Sequence, residues 1–437
     1  MTRAVRRLLV ISPHFPPDTS AGAHRARVIV PYLEGCGWEP TVLTVDPEGY
    51  ECALDTDLAA RVPACVRVER VPIRPAAQTR RLGVGDLGLR AAVPLYRAAR
   101  RMRADAIYLT TYPLYPALFG PRLARALGAP LIIDLQDPWV GEWGRTVGPG
   151  PDGGPDLKSR ASRAVARRIE AAVIPRADGL TSVSSGLLDE LAARYPVIAG
   201  RPRVTLPIGI DPGDVDAIRA PGEAPPAADR DGALTLTYAG TLLPLGHEVL
   251  DAVLGALGDV HRDGRAGSGR LTLHCVGTSN QARPDQALRV LPRAAALGVA
   301  AWVHESPARV PYFEALGALA RSTMVLVMGT TESRYTASKV QSALAVGRPL
   351  IAVVHRLSDV ARTLAPLADR DPAIALFTYT DEHRAASLRP AIAALLARWC
   401  AHLPGRLDDT RFAPGSTGPE LARVLADLLN GLEPRRG

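Results

Sequence analysis

Lysine is almost absent from this chain: Lys158 and Lys339 stand against 50 arginines in 437 residues. An uninterrupted apolar stretch of the ~18 residues a membrane helix requires is missing as well, so no spanning segment is expected. Five cysteines (Cys36, Cys52, Cys65, Cys275, Cys400) are scattered, odd in number and without metal-ligand spacing. A reduced, cytoplasmic compartment is the simple inference. The chain has no nucleophile-elbow sequence, so no Ser-His-Asp arrangement can be picked out. Nor does any nucleic-acid motif or aromatic interleaving of basic residues occur, and nucleic acid is not expected as a partner. An acidic D-x-D of the kind that holds a metal-bound sugar diphosphate, Asp214-Val215-Asp216, lies in a Pro/Gly-rich stretch and reads as chance. No metal site is expected.

What is present begins with MTRAVRRLLVIS, whose short apolar run leads straight into PHFPPD. It reads as a first β-strand and not a signal peptide. The net charge of +8 is uneven. Arg74, Arg80, Arg81, Arg90, Arg97, Arg100, Arg101 and Arg103 crowd one region, and Arg160, Arg163, Arg167 and Arg168 another. General attraction to an anionic membrane surface or substrate is one reading. Solvated helix faces are the other.

The length suggests two domains, each with its own core. Short apolar strands alternate with amphipathic helices, the pattern of parallel α/β layers. Strands are expected at Leu8–Ser12, Pro40–Thr44, Val66–Val71, Ala106–Leu109, Pro130–Asp134, Gly179–Val183 and Arg203–Leu206. A second series follows at Leu234–Tyr238, Leu271–Val276, Ala301–His304, Thr323–Met328 and Leu350–Val354. The expected boundaries are an N-terminal Rossmann-like domain over 1–210, a linker over 211–233, a second Rossmann-like domain over 234–417, and a C-terminal helix over 418–437. That helix is amphipathic and suited to pack back on the first domain. Residues 144–157, rich in Gly and Pro, read as surface loop or mobile lid.

Lys339 follows Ser338 where a helix is expected to begin, and Gly347-Arg348-Pro349 ends it. Backbone N–H groups and the positive dipole end make such a start suited to an anion. In a chain that uses arginine nearly everywhere, a lysine here hints that a compact ammonium is wanted. An ordinary solvated helix start is the alternative. After the first strand, Ser20-Ala21-Gly22-Ala23 permits close backbone approach, with His24 and Arg25 in the first turn. A plain strand–helix turn is equally compatible. DLQDPW (134–139) places Asp137 at the end of an apolar strand, either toward a crevice or as the cap of the Pro138 turn. Gly240 and Thr241 follow another strand and suit a diphosphate bound through backbone N–H groups. His247 nearby is more often a structural histidine.

Four segments, in order, resemble the GT-B glycosyltransferases, specifically the family 4-like retaining enzymes of the group 1 type. ISPHFPPDTSAGAHRARVIVPYLEGCGWEPTVLT looks like the family's first strand, glycine loop, helix and second strand. RADGLTSVSSGL is similar to its AD-strand-Ser-x-x-Leu step, and LPIGIDP to its hinge. SKVQSALAVGRPLIAV resembles the donor-binding segment. The resemblance implies an α/β chain of two Rossmann-like domains facing across a cleft. It implies hexosyl transfer from a nucleotide-diphosphate sugar, with retention, without metal and without any other cofactor. The acceptor class is a cell-envelope polysaccharide, a glycolipid or another glycan, reached by an enzyme that docks peripherally on the cytoplasmic face of the membrane.

Carried over, Ser338 and Lys339 hold the donor diphosphate, Gly240 and Thr241 lie under it, and Gly22 approaches the transferred sugar or phosphate. Asp137 lies near the acceptor with His24 and Arg25, and Asp137 and Lys339 are the catalytic candidates. The chain departs from the family at Ser342, where a glutamate usually grips the ribose; Glu332 and Arg334 are the candidates to compensate. Ile208 replaces the hinge asparagine, Thr241 and His247 lie where a basic pair is often found, and Gln136 falls where the family has a histidine. These departures leave a second reading open, a non-catalytic GT-B protein that binds a nucleotide sugar or a partner glycosyltransferase. A sugar-nucleotide epimerase on the same fold is a third.

Overall fold

The computed structural model describes residues 5–51, 54–82, 84–112, 114–140, 157–218, 233–266, 271–279, 287–332 and 339–433. The chain divides into two compact units, Met1–Gly209 with Gly418–Gly437, and Ile210–Thr417. The first holds seven parallel strands: β1 (Arg6–Ile11), β2 (Trp38–Val45), β3 (Arg67–Val71), β4 (Ala106–Thr110), β5 (Leu131–Leu135), β6 (Gly179–Ser182) and β7 (Arg203–Thr205). Their order is β3-β2-β1-β4-β5-β6-β7. β4 and β5 are buried along their whole length, as continuous apolar runs must be when helices cover both faces of a parallel sheet. Successive side chains take opposite faces. Leu9, Ile11, Leu109 and Ile133 join one core with Leu95, Leu123 and Ile169. Leu8, Val10, Val42 and Ile132 join another with Val28, Ile29 and the C-terminal helix Gly418–Asn430.

That last helix presents Leu421, Leu425, Leu428 and Leu429 to the second of these cores. Gly418 lets it start flush against its neighbours: a Cβ there would lie 2.5 Å from the Val28 carbonyl and from Tyr32. At its far end the Asn430 side-chain oxygen accepts from Trp38 Nε1–H at 3.2 Å.

The second unit has six parallel strands: β8 (Leu234–Ala239), β9 (Leu271–Val276), β10 (Val303–Ser306), β11 (Met324–Met328), β12 (Leu350–His355) and β13 (Ile374–Tyr379), in the order β10-β9-β8-β11-β12-β13. Three features differ from the sequence expectation. β13 was not foreseen, although its residues 374–377, IALF, are apolar; its middle residues are only partly buried at the sheet edge. A 3₁₀ turn, Ala300–Trp302, takes up the residues expected to open β10. Pro212–Ile218, within the stretch read as linker, is a helix that buries Asp214 and Val215. There the Asp214 carboxylate accepts from Tyr312 Oη–H at 3.0 Å, so the Asp-x-Asp holds structure together. The rest of the expected linker, and the Gly/Pro-rich loop 144–156, lie outside the described residues. Among the described residues no helix is long and apolar enough to cross a membrane.

Both sheets start in the middle and wind outward in each direction. The reversal falls between β1 and β4 in the first unit and between β8 and β11 in the second. In open α/β sheets, ligands bind outside the carboxyl ends of strands at that switch point.

Candidate functional site

In the second unit the chain leaves β8 into Gly240 and Thr241. Gly240 has φ +132°, a conformation open essentially to glycine. Its N–H donates to the Val276 carbonyl at 2.7 Å, and Leu242 N–H donates to Thr278 at 2.9 Å, so the turn is pinned to the end of β9. The stem of Lys339 crosses the bare face of Gly240, where any Cβ would overlap it. Lys339 Nζ donates to the Tyr238 hydroxyl at 3.2 Å and to the Thr241 carbonyl at 3.3 Å. The same carbonyl accepts from Tyr238 Oη–H at 3.0 Å, and Nζ lies 5.0 Å from the Tyr238 ring centroid. Burial first, and the Arg309 guanidinium second, draw the Lys339 ammonium down to about 8. A desolvated cation with two weak neutral acceptors gains more from an anion than a hydrated one does.

Lys339 caps the helix Val340–Ala345, which is six residues long and far shorter than a helix with a full dipole. The cation itself therefore dominates the electrostatics, with the helix terminus a lesser contributor. Ser342 sits part-exposed on that helix, and Glu332 is part-exposed after β11, its N–H donating to Thr330 Oγ1 at 3.3 Å. Ser338 and Arg334 lie outside the described residues.

The first unit builds its own cluster at the carboxyl ends of β1, β4 and β5. Ser12 Oγ–H donates to the His14 carbonyl at 2.7 Å, and Thr110 Oγ1–H donates to Ser12 Oγ at 3.2 Å. Tyr50 Oη–H donates to the Pro13 carbonyl and accepts from Phe15 N–H, both at 3.2 Å. Burial is the chief cause that pushes the Tyr50 hydroxyl up to about 12. The loop is thereby held from both sides. His14 Nδ1 lies 2.5 Å from Asp18 Oδ2 and 2.9 Å from Ser20 Oγ. Its ring is flanked by Tyr50 and Tyr112, at centroid distances of 6.1 and 5.3 Å.

Gly22 serves this cluster. A Cβ there would lie 2.6 Å from Tyr112 Cδ1 and 3.3 Å from His14 Cβ, so the small residue makes room for two rings. His24 is part-exposed two residues on, with its Nδ1 3.4 Å from an Arg27 guanidinium nitrogen. Asp137 is exposed on the turn after β5, and the surrounding protein raises its carboxyl to about 6 by desolvation. Solvent still reaches the side chain and screens it, so its exposure weighs more than the shift.

Arg25 is corrected. It is 1% exposed and cannot meet an acceptor. Its Nε–H donates to Asp134 Oδ2 at 3.1 Å, and its terminal nitrogens donate to the carbonyls of Pro207 at 2.7 Å and Leu206 at 2.6 Å. Thr181 Oγ1–H completes Asp134 at 2.7 Å. The pair ties the helix Ala21–Ile29 to β5 and to the chain beyond β7. Arg90 is likewise no part of the charged surface: it is buried and donates to the carbonyls of Gly49 and Arg74. The other seven arginines of its group are exposed.

Sequence reasoning passed over His14, Asp18 and Tyr238. The first two lie four residues apart in a proline-rich loop without helical or strand period, and only the fold brings Tyr112 to them. Gln136, buried after β5, has its side-chain nitrogen without a partner among the described residues.

Residues 20–209 match the family described as the glycosyl transferase 4-like domain. No curated protein matches the chain. Among solved structures, HepE of Anabaena in complex with UDP-glucose is 14% identical, with a TM-score of 0.53 over 97% of this chain and 94% of that one. An alpha,alpha-trehalose-phosphate synthase (UDP-forming) from Burkholderia xenovorans is 11% identical, with a TM-score of 0.59 over 98% and 100%. A putative UDP-N-acetylglucosamine 2-epimerase from Listeria monocytogenes is 13% identical, with a TM-score of 0.51 over 97% and 94%. At these identities the likeness is one of fold.

Proposed function

We propose that this chain, of GT-B fold and carrying a glycosyl transferase 4-like domain over residues 20–209, is a glycosyltransferase using a nucleotide-diphosphate sugar. One observation carries the reading: at the switch point of the second unit, a nearly unique lysine lays its desolvated ammonium over a bare glycine turn. A compact cation and unobstructed backbone at that place suit a diphosphate. HepE with UDP-glucose and the UDP-forming synthase support a nucleotide sugar as the donor.

In this reading the second unit holds the donor. Lys339 takes up the charge that grows on the departing diphosphate, with Gly240 and Thr241 beneath and Glu332 and Ser342 nearby. Residues of the first unit, Asp137 and His24 among them, hold the acceptor. Catalysis is mostly positioning plus electrostatic stabilisation of the leaving group. Hexosyl transfer with retention and without metal follows the family resemblance. The acceptor class is a cell-envelope polysaccharide, glycolipid or other glycan. Exposed Arg97, Arg100, Arg101 and Arg103 suit electrostatic docking on the cytoplasmic face of a membrane.

Ser342 in place of the family glutamate favours the second reading, a non-catalytic binder. Thermal stabilisation by UDP-, GDP-, dTDP- and ADP-sugars, followed by release of the nucleoside diphosphate, separates the two. A selective nucleotide sugar that is turned over, with turnover falling roughly 10²-fold or more in Lys339→Ala, supports transfer. Binding without turnover supports the binder, and unchanged turnover in Lys339→Ala refutes the placement of the cation.

A further inference from the structure

Arg25 and Arg90 are both buried in the first unit, but they are satisfied differently. Arg25 meets a carboxylate and two carbonyls. Arg90, 8% exposed, meets two carbonyls only: its Nη1 donates to Gly49 at 3.0 Å and to Arg74 at 2.9 Å. Its Nε and Nη2 are buried without a partner among the described residues. A guanidinium carries five N–H donors in a rigid fork, and Nη1 accounts for those in use. The two idle nitrogens form one side of that fork, whose parallel N–H groups fit two oxygens of a single anion. Burying cationic donors without acceptors is costly. The carboxylates nearby are engaged elsewhere. Asp86 accepts from Leu89 N–H at 3.0 Å and caps the helix Leu87–Ala99 that carries Arg90. Glu51 pairs with Arg80 at 2.8 Å, and the side chains of Arg80 and Glu51 are 66% and 39% exposed. Burial lowers the Arg90 guanidinium below the ordinary arginine range; Glu51 and then Asp86 oppose this, and Arg80 adds to it.

Gly49 follows β2 and Arg74 follows β3, so Arg90 stands at the same carboxyl end of the sheet as the switch point. The residue after Gly49 joins the two places: Tyr50 Oη–H donates to the Pro13 carbonyl at 3.2 Å, in the loop after β1. The surface beside Arg90 is basic, with Arg74, Arg80 and Arg81 exposed. We propose that the idle edge of Arg90 is an oxyanion site, taking a phosphate or carboxylate group through Nε–H and Nη2–H. Arg80 is its second cation. An exposed ion pair such as Arg80–Glu51 is weak, so an entering anion displaces Glu51 and takes Arg80 for itself. On the transferase reading above, on which this assignment rests, the oxyanion belongs to the acceptor. The acceptor class then narrows to glycans or glycolipids that carry a phosphate or a carboxylate. Their anionic group is anchored at Arg90, and the donor turn of the second unit plays no part in holding it.

The test is titration calorimetry of the full chain with inorganic phosphate, glycerol 1-phosphate and glucuronate, at matched ionic strength in chloride. Lys339→Ala is the background, so that the cation of the donor turn does not contribute. The expected result is saturable binding, strongest for glycerol 1-phosphate if the acceptor carries a phosphate ester and for glucuronate if it carries a carboxylate. Arg90→Lys keeps a positive charge and loses the two-pronged edge. It should weaken that binding roughly 10-fold or more. Glu51→Gln removes the competing carboxylate and should tighten it; this variant decides the matter if Arg90→Lys does not fold. Binding unchanged in either folded variant, or no binding of any of the three anions, overturns the site and leaves the transferase reading standing. Strongest binding of inorganic phosphate marks a free anion and overturns the assignment to the acceptor. Binding through Arg90 in a wild-type protein that turns over no nucleotide sugar keeps the site, and strikes that assignment together with the transferase reading.

Discussion

Replacing Arg25 by methionine should unfold the first unit long before it disturbs an acceptor. The change keeps an apolar stem of similar length and removes the guanidinium. Asp134, 0% exposed, keeps Thr181 as a partner but loses its counter-charge. The carbonyls of Leu206 and Pro207 lose their donors at the same time. Breaking a buried pair on one side costs about 3–5 kcal/mol, because it strands a desolvated charge. The stranded carbonyls add to that, although not additively. For a domain of this size ~1 kcal/mol moves the melting temperature by about 2–4 °C, so a fall of roughly 6–20 °C is expected. Differential scanning calorimetry of the full chain reads it. The double variant Arg25→Met with Asp134→Leu removes both charges and should melt above Arg25→Met alone, since an apolar pair does not carry the stranded carboxylate. An Arg25→Met protein that melts within about 1 °C of wild type would sink the argument and return Arg25 to the acceptor candidates.

Lys339, drawn down to about 8 by its burial, should lose its charge as pH rises through that value, so affinity for a nucleoside diphosphate should weaken above about pH 8. Titration calorimetry in buffers of different ionisation enthalpy should show proton uptake on binding there, and Lys339→Ala should abolish it. The stability sign is opposite: between about 8 and the ordinary lysine range the unfolded chain binds the proton more tightly, so this group's contribution to stability improves as pH rises. Gly22→Ala should press a methyl group into Tyr112 and His14; overpacking of this kind costs about 1–3 kcal/mol, and a melting curve identical to wild type would contradict the packing. Leu425→Ala should remove about 2–5 kcal/mol from the core that the last helix shares with Val28 and Ile29. Denaturant titration checks it, and a loss below about 1 kcal/mol would mean that the helix is only loosely docked.

The seven strands of the first unit lie within two residues of their expected positions. A strand buried on both faces must be apolar throughout, and such a run between turn residues is visible in one dimension. β13 was passed over although its residues 374–377, IALF, form such a run; at the sheet edge its middle residues are only part-buried. Lys339 stood out because lysine is so rare in this chain, and Gly240 because a glycine follows a strand. Arg25 and His14 show the limit. Sequence placed Arg25 in the first turn of a helix beside His24, where it looked like a ligand contact; the partner that consumes it, Asp134, is 109 positions away. His14 looked like one more residue of a proline-rich loop until Tyr112 and Gly22 were found against it. Periodicity and composition report how much of a residue is buried and on which face, because those depend on neighbours three or four positions away. Which charge meets which, and which ring nitrogen is left free, depends on contacts made across the sheet, and those distances exist only once the chain has folded.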